Sequence, residues 1–225
     1  MLFAIGQPAA FVGLLLAFLI GLSLRVVAMR LTARALGLES RHEPLLPSPR
    51  EDIDPFGAVA ALVAGTGWGR PVDIDAMPRL ASRGRRTAVV AAGPLAPLVA
   101  GLLGLTAYRL FLPEGRIALL INNAGSVLHG AIAPSLVSQF LVSLVVGLLC
   151  FGLLALIPLP PLDGFAMMWI NVKQPSASAQ RVRYWLTENN LGVVILMVAV
   201  FFPLTSPLLH LFLNLLAAPV LWVWA

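Results

Sequence analysis

The sequence predicts an all-α integral membrane protein, a bundle of about four to six transmembrane segments with a short re-entrant or strand-like region. Composition is the first reason: of 225 residues 59% are hydrophobic and 11% charged, and mean hydropathy is +0.92, outside the range of soluble domains. Apolar runs are the second. Those near 10–29, 88–107, 134–157 and 191–224 are long enough, or almost, to cross a bilayer as helix. The third is the gathering of basic residues in the segments between the runs. The whole chain, 1–225, reads as one polytopic domain, with a core at 10–170 and a C-terminal loop and membrane helix or hairpin at 171–225.

Taken in order, the first helix is expected from about Phe11 to Leu36, with Arg25, Arg30 and Arg34 at helical spacing on its later half. No basic stretch precedes it, so a cleaved leader is not expected. Leu38 to Pro55 holds four prolines and five acids and reads as surface loop. Asp54-Pro55-Phe56-Gly57 opens an apolar stretch ending at Thr66, too short to span and read as half-membrane or re-entrant. Gly67 to Asp75 follows, and its Val-Asp-Ile-Asp alternation suggests a short strand whose edge can pair with another extended segment. The alternative for this stretch is a membrane-dipping loop anchored by Trp68.

Arg79, Arg83, Arg85 and Arg86 lead into Ala91-Ala92-Gly93-Pro94-Leu95-Ala96-Pro97, where small residues favour close helix contact and two prolines imply a bend. Residues from Pro113 to Pro134 read as an outer loop. Ser135 to Ile157 then delivers the chain to Pro158-Leu159-Pro160-Pro161-Leu162-Asp163-Gly164. Residues 191–224 fit one kinked span or a hairpin broken near Pro203 and Pro207.

Net charge is +5, yet the basic residues sit beside spans without an interleaved aromatic platform, so nucleic acid is excluded as a partner. Placing loops 30–54, 67–87 and 165–190 in the cytoplasm leaves Arg109 and Arg116 outside and puts the N-terminus outside. A bacterial cell membrane is the expected location, with the lipid bilayer and another transmembrane protein as partners. The lone cysteine, Cys150, gives no disulfide and no cysteine metal site.

Four landmarks in order resemble the site-2 protease family of intramembrane zinc metalloproteases. They are the helix ending at Leu36-Gly37, Asp54-Pro55-Phe56-Gly57 with Gly67-Trp68-Gly69-Arg70-Pro71, the Ala92-Gly93-Pro94-Leu95-Ala96 turn, and Pro160-Pro161-Leu162-Asp163-Gly164. The resemblance implies a site-2 protease-like bundle, a zinc held by a His-Glu-x-x-His helix, and an aspartate third ligand at Asp163. Registering the first helix on Leu36-Gly37 puts Arg25, Val26 and Met29 where such enzymes carry His, Glu and His. Asparagines common in the family align with Ala155 and Pro97.

Ligands and base are therefore missing, and His42, His129 and His210 are scattered along the sequence. The expectation is a catalytically inactive relative with no cofactor, in which Arg25 occupies the metal position and pairs with a vestigial Asp163. Arg25 snorkelling to the interface is the simpler alternative. His42 reads as a solvated loop residue, while His129 is placed across the membrane from Asp163. Gly67, Trp68, Gly69, Arg70 and Pro71 form the candidate partner-binding segment. Two other functions stand beside this one: an active zinc protease using unusual ligands such as Asp163 and His42, and a structural subunit of a membrane complex.

Overall fold

The computed structural model of the chain describes residues 1–38, 44–78, 81–112, 115–202 and 207–224. Three long apolar helices form its centre: α1 (Pro8–Ala35), then, after two short helices α2 (Pro49–Asp52) and α3 (Pro55–Ala64), α4 (Arg83–Phe111), and finally α7 (Leu136–Ala155). Between α4 and α7 lie α5 (Gly115–Ile121) and α6 (Ala124–Gly130), and α8 (Asp163–Asn171), α9 (Ala177–Thr187), α10 (Leu191–Phe201) and α11 (Leu208–Trp224) complete the chain. By length and composition three helices can cross a membrane, or four if the bent pair α9–α10 is one span. Four meets the lower end of the expected four to six, and three falls below it.

Small residues explain why α1, α4 and α7 pack against one another. A side chain at Gly101 of α4 would run into the backbone of Leu149 on α7, and one at Gly147 into Ala17 of α1. Lipid supplies no hydrophobic drive between helices, so such close backbone approach is what gains dispersion contacts. Outward faces carry Val12, Leu19, Leu95, Leu103 and Val137, all exposed apolar residues fit for lipid.

Several expectations are corrected. The Gly-Pro turn at 91–97 is no break, because α4 runs through Pro94 and Pro97. A proline costs a helix one hydrogen bond and a clash, which membrane helices tolerate when neighbours support them, and Gly152 of α7 packs directly against the Pro94 carbonyl. The expected loop at 113–134 holds α5 and α6 instead, the latter capped reciprocally by Asn123 and Ser126. Within the 38–55 loop, residues 49–52 form the single turn α2. Residues 191–224 divide into two helices, α10 and α11, in contact with each other.

The strand expected between Gly67 and Asp75 is absent among the described residues. One isolated bridge joins Gly69 to Ile53. Alternation is broken at Ile74, because the Asp73 carboxylate accepts from the amides of Asp75 and Ala76, closing a turn.

Candidate functional site

The site is built around α1, α8 and the segment 67–72. Asp163 is the first residue of α8, where the helix dipole favours a carboxylate. Gly164 is required beside it, since a side chain there would meet the carbonyls of Leu156 and Ile157 at the end of α7. The preceding Pro160–Pro161 peptide is cis. On α1, Arg25 is 5% exposed and Asp163 is 2% exposed.

The structure brings the two together as a fork. Arg25 Nε donates to Asp163 Oδ2 at 2.7 Å, and Nη2 donates to Oδ1 at 2.6 Å. Nη2 also reaches the Arg70 carbonyl at 3.0 Å. Snorkelling is thereby ruled out, because the guanidinium turns inward to a buried acid. Both carboxylate oxygens are engaged, which is the arrangement that offsets the desolvation of two charges.

Neighbouring segments close over this pair. Val26 is buried and Met29 lies against Gly93 of α4, where a side chain would meet the Met29 sulfur and Arg25 Cγ. Asp54 caps α3 by accepting from the amides of Phe56 and Gly57, with Pro55 at the first helical position. Gly57 in turn lets the Trp68 carbonyl approach, and Gly69 fits between Leu22 and Arg25 Nη1. Trp68 is buried, so it packs into the core and does not anchor a loop at the membrane surface. Arg70 and Pro71 are exposed, and the Arg70 amide donates to the Asp52 carbonyl. With its amide engaged and its carbonyl already accepting from Arg25, Arg70 has no free backbone donor for strand addition.

Beside the pair opens a cleft of about 170 Å³ lined by Arg25, Arg30, Glu51, Asp52 and Arg70. Here lies a second ion pair that sequence reasoning missed. Arg30 Nη2 donates to both oxygens of Asp52 at 3.0 Å, while Nη1 holds the carbonyls of Pro44 and Leu46. No local spacing joins residues 30 and 52, so only the tertiary fold makes the contact visible.

The histidines are also rearranged. His42 lies outside the described residues. His129 and His210, far apart in sequence, meet with ring centroids 4.5 Å apart, and His210 Nε2 lies 2.7 Å from the Ala64 carbonyl at the end of α3. Burial holds the pKa of His129, on α6, below the ordinary 6.5, and the N-terminal ammonium adds to this. Gly130 beside it abuts Gln7 at the start of α1, and Arg25 is 25 − 7 = 18 residues further along, about 27 Å at the helical rise. These histidines sit at the far end of α1 from Asp163. Elsewhere in the bundle Asn214 accepts from the Gly125 amide and Gln139 donates to Gln7 Oε1 and the Ala131 carbonyl, whereas Asn122 and Asn123 bond within their own segment.

A zinc ion does not fit the residues assembled at this place. It would find one carboxylate, with both oxygens already bound by Arg25, and no three histidine, cysteine or acidic side chains converge among the described residues.

Comparison with known proteins gives one informative likeness. The chain is 29% identical over 171 residues to the "Putative zinc metalloprotease YwhC" of Bacillus subtilis (strain 168), covering 74% of this chain and 69% of that protein. No protein-family model and no solved structure matches. That relative's printed name is of the same kind as the family that the ordered landmarks resemble.

Proposed function

We propose that this protein is a catalytically inactive member of the site-2 protease family that binds or regulates another membrane protein. The observation that carries the reading is the Arg25–Asp163 fork. A guanidinium stands where the family resemblance places the metal, and it engages both oxygens of the remaining acidic ligand. Hydrolysis in such enzymes needs a metal-acidified water and a carboxylate base, and here Val26 stands in the position of that base. The N-terminus outside and a bacterial cell membrane remain part of this reading.

The partner is a transmembrane segment held without being cut, with Arg70 and Pro71 the exposed part of the segment Gly67, Trp68, Gly69, Arg70 and Pro71. The test is reconstitution of the purified protein with model transmembrane substrates. No cleavage product is expected, from the natural sequence or from Asp163→Ala. Cleavage abolished by Asp163→Ala would overturn the reading.

The name of the Bacillus subtilis relative favours a second reading, an active zinc protease that recruits Asp163 and His42 as ligands. It requires Arg25 to leave Asp163. Loss of bound zinc on His42→Ala would establish it.

A further inference from the structure

The 11-residue helix α9 faces the wrong way for a protein surrounded by water. Gln180, Arg183, Tyr184, Thr187 and Glu188, one face by their spacing, line an open cleft of about 430 Å³ shared with Asp75 and Trp169. Within it Arg183 is held by the Asp75 carboxylate, and its guanidinium lies 5.1 Å from the Trp169 ring centroid. The other face turns away from the protein with its apolar groups uncovered. Val182 is 56% exposed and Trp185 54%, and no residue of α9 is buried.

We infer that the outward face of α9 lies in the headgroup and acyl boundary of an anionic bilayer. Continuity supports this first. After Asn190, in the left-handed region at φ 54°, the chain bends by 55° into α10, whose Leu191, Val194, Ile195 and Val198 are exposed apolar residues. At 11 residues, about 16 Å, α10 is too short to cross the roughly 30 Å hydrocarbon layer alone. Exposed apolar residues thus recur on both sides of the polar bend at Glu188, Asn189 and Asn190, with Val182 and Trp185 before it and Leu191 and Val194 after it. Charge complementarity is the second support: Arg181, exposed and next to Val182 on α9, is placed to meet lipid phosphates, and Trp185 has the amphipathic ring favoured at that depth.

Spin labels test the assignment. In a Cys150→Ala background, Val182→Cys, Trp185→Cys and Gln180→Cys are labelled and reconstituted in vesicles of phosphatidylcholine with phosphatidylglycerol. Collision with oxygen should exceed collision with a water-soluble nickel chelate several-fold more at 182 and 185 than at 180. Equal nickel access at all three positions would overturn the inference, and so would spin–spin broadening at 182, which would assign the face to a second copy. Should labelling disturb the fold, the unsubstituted protein in vesicles of shallowly brominated lipid gives the same answer. Quenching should fall in Trp185→Phe, and quenching unchanged by that substitution would contradict the proposal.

Discussion

Arg25–Asp163 and Arg183–Asp75 are the same chemistry in two settings. The first pair has side chains 6% and 1% exposed, is doubly hydrogen-bonded and lies beneath the 67–72 segment. The second joins a half-buried arginine to an aspartate 71% exposed on an open cleft. Water and salt screen the surface pair, whereas each buried charge depends on its partner for most of its compensation. The difference teaches where a charge pair is built into the core of this fold, and where it merely ties down a surface helix.

The largest effect should follow from orphaning one buried charge. Arg25→Ala or Asp163→Ala should each cost about 3–5 kcal/mol, because the remaining ion is left without compensation. The buried thiol of Cys150 reports unfolding, so a fluorogenic maleimide followed during heating measures the loss. Together the two substitutions should cost less than their sum, while Arg25→Met with Asp163→Leu should fold near normally, since an apolar pair removes both desolvation penalties. Additive single effects would break the comparison at its buried end.

Gly69→Ala sharpens it one step further out. The added methyl meets Leu22 and Arg25 Nη1, and such overpacking costs about 1–3 kcal/mol. Arg30→Gln comes next. It removes a pair with side chains 17% and 15% exposed, and about 1.5 kcal/mol is expected, with faster proteolysis after Arg50 as the carbonyls of Pro44 and Leu46 lose their donor. Arg183→Gln should be the smallest, under about 1 kcal/mol and vanishing in high salt, checked by the same thermal assay at two ionic strengths.

How much of this could be read from the sequence depends on the range of the interaction. The spans of α1, α4 and α7 are legible because about twenty apolar residues in succession have few other uses. The Asp54-Pro55 cap is legible for the same local reason. The placement of Arg25 opposite Asp163 came from registering a helix on a family pattern, not from periodicity. The burial of Trp68 has no local signature, since it depends on Gly57, eleven residues earlier, leaving room for its carbonyl. Neither the Arg30–Asp52 pair nor the meeting of His129 with His210 has a local signature. For α9 the pattern Val182, Trp185, Leu186 was present, but the loop assignment of 165–190 rested on its basic charge.

The central claim is that a guanidinium has taken the place of a metal. Elemental analysis of the protein, purified in mild detergent without chelators, tests it most directly. The account predicts zinc well below one ion per chain, unchanged by Asp163→Ala. One zinc ion per chain, lost on that substitution, would contradict it.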